Sequence, residues 1–155
     1  MNCLFRLTRY PYEEPYHVQL LLEASNGRQH ATIEYYDSVQ DLSKLGHELI
    51  QFPFTPTQEY IYEIGSEDSG KRCAYHIRLR FFLVTARGTC GIEVRFSNNR
   101  PEAPFRETAE FTIQAEVGGL NRLGELLKDF GKLRHRVLEW DGVNGQLLKP
   151  EQSET

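Results

Sequence analysis

The chain opens on an alternation of apolar and polar residues. Positions 3 to 9, and then positions 16 to 24 with Val18, Leu20, Leu22 and Ala24 on one side, repeat with the period of two that marks a half-buried strand. Asn26-Gly27 follows, a dipeptide suited to the positive φ angles of a type I′ turn, so residues 29 to 36 are expected to return antiparallel. The period then changes. Val39, Leu42, Leu45, Leu49 and Ile50 fall on one helical face, with Asp37 or Ser38 placed to cap it and Asp41 three residues past Ser38 in the manner of a capping box. Phe52-Pro-Phe-Thr-Pro56 ends the helix, because proline has no amide to donate to it, and Phe52 and Phe54 read as a lid on the core.

Alternation resumes at 59 to 64, 73 to 86, 91 to 97 and 108 to 117. In the longest run Cys73, Tyr75, Ile77, Leu79, Phe81 and Leu83 share one face, and His76, Arg78 and Arg80 the other. Gly118-Gly119 leads into a second helix with Leu120, Leu123, Leu126, Leu127 and Phe130 on its apolar side, and Gly131 suits its end. A strand from Arg136 to Trp140 precedes Asp141-Gly142. Val39, Leu42, Leu45 and Leu49 match Leu120, Leu123, Leu126 and Phe130 at an offset of 81, an echo that shared helical periodicity explains as well as duplication does.

These patterns predict an α+β fold, a twisted and mostly antiparallel sheet of about seven or eight strands with two amphipathic helices packed on its apolar side. Leu45, Leu49, Leu123 and Leu126 are expected in one core. Residues 1 to 148 read as one domain, and the polar tail 149 to 155 as disordered.

Composition narrows the function classes. The 155 residues are 39% hydrophobic and 26% charged, with a formal charge of −4, so no broad basic field is present and nucleic acid is not an expected partner. No stretch approaches the roughly 18 apolar residues of a membrane span, so no membrane association is expected. The first ten residues lack the apolar core of a secretory signal, and the location is expected to be cytosolic. Three cysteines, Cys3, Cys73 and Cys90, form no C-x-x-C pair and read as reduced thiols, with neither disulfide nor metal implied.

Several segments approach a chemical motif and depart from it. Gly65-Ser-Glu-Asp-Ser-Gly-Lys71-Arg72 follows a phosphate-binding loop until Arg72 stands where a magnesium-binding hydroxyl belongs, and it runs into a strand instead of a helix. It reads as an acidic, mobile connection without nucleotide affinity. His47-Glu48-Leu-Ile-Gln51 begins like a zinc-protease helix, but Gln51 replaces the second ligand. Gly118, Gly119 and Arg122 sit at a strand-to-helix junction, a weak candidate anion site set against the simpler role of making the turn. No cofactor motif occurs, and no nucleophile elbow.

Two features favour contact with another protein. Arg78 and Arg80 project together from the long strand, and Arg95 joins them if residues 73 to 97 form a hairpin. Tyr10, Tyr12 and Tyr16 lie in a proline-bearing loop, and arginine and tyrosine are enriched at binding hot spots. The expected function is a non-catalytic protein-binding module, an adaptor or an inhibitor, similar in size, acidity and lack of catalytic motifs to small immunity proteins. The alternative is a small-molecule-binding or enzymatic domain with a pocket between sheet and helices.

Overall fold

The structure, a computed structural model, describes residues 3–12, 17–55 and 57–149. In chain order its elements are β1 (Phe5–Tyr10), β2 (His17–Ser25), β3 (His30–Ser38), α1 (Val39–Ile50), β4 (Glu59–Gly65), β5 (His76–Leu83), β6 (Thr89–Ser97), β7 (Thr108–Glu116), α2 (Val117–Phe130), β8 (Val137–Trp140) and β9 (Gly145–Leu148). The protein is therefore α+β, with antiparallel strands and two amphipathic helices. Its strands divide into two sheets, β3-β2-β1-β8-β9 and β4-β5-β6-β7.

The order of pairing shows an internal duplication. Both β1-β2-β3-α1-β4 and β5-β6-β7-α2-β8 follow the same plan, and each half lends its last strand to the other half's sheet: β8 pairs with β1, and β4 with β5. From β3 and β7 through the helix starts to β4 and β8, the elements begin 78 residues apart. At that spacing Leu42, Leu45, Gly46 and Leu49 of α1 correspond to Leu120, Leu123, Gly124 and Leu127 of α2, and all eight are buried. The offset of 81 is thus three residues too long. One heptad-like stripe of leucines matches itself almost equally well when slid by a turn.

The two helices meet at the paired glycines. A Cβ on Gly46 would lie 2.8 Å from the Gly124 carbonyl oxygen and from the Lys128 amide nitrogen; one on Gly124 would lie 2.7 Å from the Gly46 carbonyl oxygen and the Ile50 amide nitrogen. Residues 50 and 128 also stand 78 apart, so the contact is reciprocal in the way that a twofold interface is. Asn121 of α2 completes it by donating to the carbonyls of Leu49, Ile50 and Phe52 at the end of α1, at 2.8, 3.2 and 2.9 Å. One continuous hydrophobic cluster takes in both helices and the inner faces of both sheets, with Leu45, Leu49, Leu123 and Leu126 all in it.

Local chemistry follows expectation except where a side chain or a neighbour intervenes. Asn26-Gly27 makes a four-residue loop instead of a type I′ turn: Ser25 pairs with His30, only Gly27 of the loop has positive φ (91°), and Asn26 Oδ1 accepts from the Arg28 and Gln29 amides at 2.9 and 2.8 Å. Ser38 caps α1 through the Asp41 amide at 3.1 Å, but its own amide donates to Asp37 at 2.8 Å, so the reciprocal half of a capping box is not made. Gly131 keeps a helical φ of −62°, and Leu133 takes the left-handed turn at 61°. The long alternation narrows to His76–Leu83, because Gly65 packs against the Tyr75 carbonyl where a Cβ would come within 2.0 Å, closing the β4–β5 hairpin there. Phe52 is buried, whereas Phe54 is exposed, so only the first belongs to the core. Strand β9 was not expected; Gly145-Gln-Leu-Leu148 shows no alternation of apolar and polar residues. The tail beyond residue 149 lies outside the described residues.

The glycine crossing sets a sign for mutation. Alanine inside a helix ordinarily gains about 1 kcal/mol over glycine. Gly46→Ala and Gly124→Ala should instead destabilise by about 1 to 3 kcal/mol in urea unfolding, since backbone cannot move aside. Gly118→Ala, where a Cβ meets nothing within 4 Å, should be neutral or stabilising.

Candidate functional site

Internal symmetry also shows where the molecule departs from its own plan. The β2–β3 loop has four residues, but its counterpart between β6 and β7 has ten, 98 to 107, and the β4–β5 connection also has ten, 66 to 75. These two connections meet at one end of the four-stranded sheet. Asn99 stitches them, its Nδ2 donating to the Ser66 and Cys73 carbonyls at 2.7 and 3.0 Å. Asn98 fixes the second connection from within: its Oδ1 accepts from the Arg100 and Glu107 amides at 3.1 and 3.0 Å, and its Nδ2 donates to the Phe105 carbonyl at 2.9 Å. In the first, Asp68 caps a short 3₁₀ turn at Ser69–Lys71, and Arg72 takes a left-handed φ of 52° before the chain enters β5.

Between the two connections lies an open cleft of about 510 Å³, whose charged lining is Arg72, Arg95, Arg100, Arg106, Glu67 and Asp68. Phe105 stands beside it, 61% exposed, with the Arg100 guanidinium 5.5 Å from its ring centroid. The contact residues expected from the sequence do not include this segment, although Arg100-Pro-Glu-Ala-Pro-Phe-Arg106 joins proline with an aromatic, as the tyrosine loop does, and adds two arginines. What the sequence did not disclose is that Arg72 comes to the same place.

The expected arginine face exists on the outer side of the same sheet, but its charges are spent on one another. Arg80 pairs with Glu93 at 3.2 Å and Glu59 at 3.1 Å and lies 4.0 Å over the Phe82 ring; Arg78 also reaches Glu93 at 3.2 Å. Arg78 and Arg95 are directly opposite on β5 and β6, a like-charge placement that Glu93 and Glu67 relieve. Arg95 makes a two-pronged pair with Glu67 at 2.6 and 2.9 Å. His76 is held between Glu67 at Nδ1 (2.6 Å) and Glu63 at Nε2 (2.7 Å). Tyr10, at the end of β1 in the five-stranded sheet, and Tyr12, in the turn after it, stack in parallel with centroids 6.4 Å apart, whereas the arginines are on the four-stranded sheet; Tyr16 lies outside the described residues.

Gly118, Gly119 and Arg122 do not converge on a cavity. Gly119 packs against the Gly142 carbonyl, where a Cβ would come within 1.9 Å, and its own carbonyl accepts from Trp140 Nε1 at 2.9 Å. Arg122 pairs with Glu125 at 3.4 Å on the helix surface. Gln51, in the place of a second zinc ligand, hydrogen-bonds to His47 Nε2 at 2.9 Å. Among the described residues no group of three or more His, Cys, Asp or Glu is arranged to hold a metal ion. Nor among them is any helix long and apolar enough to cross a membrane. Cys90 is buried, its thiol pushed up to about 11 by that burial.

A second polar cluster ties the two sheets together. Tyr62 of β4 donates to Asp37 Oδ2, and its hydroxyl also meets that of Tyr35 of β3 at 3.1 Å. Tyr62 and Trp140 stand 78 residues apart, and each aims its polar tip at the start of its own half's helix. Comparison with protein-family models, with curated proteins and with solved structures finds no match.

The two carboxyl clusters titrate with opposite sign. Burial raises Asp37 from 3.8 to about 7 in spite of the Tyr62 hydrogen bond, so its contribution to stability is full below about 3.8 and is lost as pH rises through about 7. Arg95, and after it His76, lowers Glu67 from 4.5 to about 2, so its contribution is present above about 4.5 and is lost as pH falls toward 2. Melting curves across pH should show Asp37→Asn gaining on the parent from acid to neutral pH, and Glu67→Gln losing least to it at the acid end.

Proposed function

We propose that this protein is a non-catalytic binding module that engages another protein through the loop 98–107 and the arginine-bearing end of the four-stranded sheet. The observation that carries this reading is the exposed Phe105 with Arg100 at its ring, on a loop whose turns are already held by Asn98 and Asn99. An aromatic and an arginine on a preorganised loop are suited to contact because little entropy is lost when they are covered. Arg95 of the cleft lining also belongs to the sheet face of Arg78 and Arg80, whose charges are already paired, which favours orientation of a partner over direct binding energy.

A photo-crosslinking residue placed at 105 should capture a discrete protein from native lysate, and the same residue at Val143, equally exposed on the β8–β9 turn, should not. Phe105→Ala should leave stability within about 0.5 kcal/mol of the parent and reduce capture by about tenfold or more. Absence of any specific adduct at 105, with folding confirmed, overturns the reading.

A further inference from the structure

The lining of the cleft between residues 66–75 and 98–107 carries more positive than negative side chains, with Glu102 and Glu107 of the second connection lying outside it. Four arginines face two carboxylates there, in a chain whose formal charge is −4. Glu67 is already engaged at both oxygens, by Arg95 and His76, and Asp68 Oδ1 accepts from the Gly70 amide at 3.0 Å. Arg72, Arg100 and Arg106 therefore have no carboxylate partner among the described residues. All three are exposed, and Arg100 lies over the Phe105 ring.

Three guanidinium groups lining one open cleft favour an anion there, because the planar fork of each can take a carboxylate in two parallel hydrogen bonds. The Glu67–Arg95 pair on the cleft wall shows the geometry a carboxylate takes there, two parallel hydrogen bonds at 2.6 and 2.9 Å. A net surplus of two charges is local. It matches a pair of acidic side chains, whereas a nucleic acid presents a charge about every 1.7 Å and needs an extended basic track.

We propose that the cleft seats a short acidic segment of the partner protein, with aspartate or glutamate carboxylates bound by Arg72, Arg100 and Arg106 and the segment's apolar neighbours covering Phe105. The inference rests on the binding-module reading and supplies the partner's chemistry. Cys73, in the cleft lining, reports occupancy by its reaction with a thiol reagent, and Cys3 serves as the internal reference.

The probe is a fluorescein-labelled peptide containing six glutamates, compared with its six-glutamine analogue and with inorganic phosphate. The glutamate peptide is expected to bind and to slow Cys73 alkylation while leaving Cys3 unchanged. Arg72→Ala/Arg100→Ala/Arg106→Ala should weaken that binding by about tenfold or more with an unshifted melt, and Arg122→Ala should not change it. Equal binding of the glutamine peptide, equal protection of Cys73 by phosphate, or indifference to the triple substitution overturns the proposal. If the crosslinked partner at 105 is still captured while the glutamate peptide fails to bind, the acidic-segment inference falls and the binding module stands. If the crosslink is absent, the function reading itself falls.

Discussion

Everything in this fold turns on two backbones touching. Gly46 and Gly124 remove the side chains that would keep α1 and α2 apart, and each then lies against the other's carbonyl and the amide four residues on. Close approach lets the leucines that flank each glycine interdigitate along the crossing, where many small dispersion contacts add up. The local helix propensity of both glycines is poor, so the crossing is a tertiary gain set against a local loss.

From that crossing the rest of the architecture follows. The exchange of β4 and β8 means that neither half completes its own sheet; Phe5 pairs with Trp140 and Gly65 with His76. The two sheets are thereby tied through both halves, and the buried Tyr35–Tyr62–Asp37 chain joins them again at the start of α1. A polar network at that depth remains favourable because its members satisfy one another, at the cost of a carboxyl group that resists ionisation.

A duplicated scaffold makes function visible as asymmetry. Where the first half turns in four residues, the second takes ten, and the longer loop meets the connection between the halves to form the cleft. The arginines singled out by strand alternation, Arg78, Arg80 and Arg95, do share a face, but they are balanced by Glu59, Glu67 and Glu93. Arg72, Arg100 and Arg106 have no carboxylate partner among the described residues, and they sit on irregular chain where periodicity has nothing to say.

By itself the sequence determined the α+β class, most strand and helix positions and the buried faces, because each depends on spacing between near neighbours and on the local chemistry of caps and turns. It also contained the repeat: Val-x-x-Leu-x-x-Leu-Gly-x-x-Leu-x-x-Phe occurs at 39–52 and again at 117–130. Leucines spaced by three or four residues cannot fix that register, since a shift of one turn aligns leucine with leucine again. The glycine fixes it, and its importance lies in what the other helix brings to it. Division into two sheets, exchange of the last strands and assembly of the arginine cleft were decided only in three dimensions. Each joins residues far apart in the chain, and no local period records which distant partner a strand edge or a guanidinium will meet.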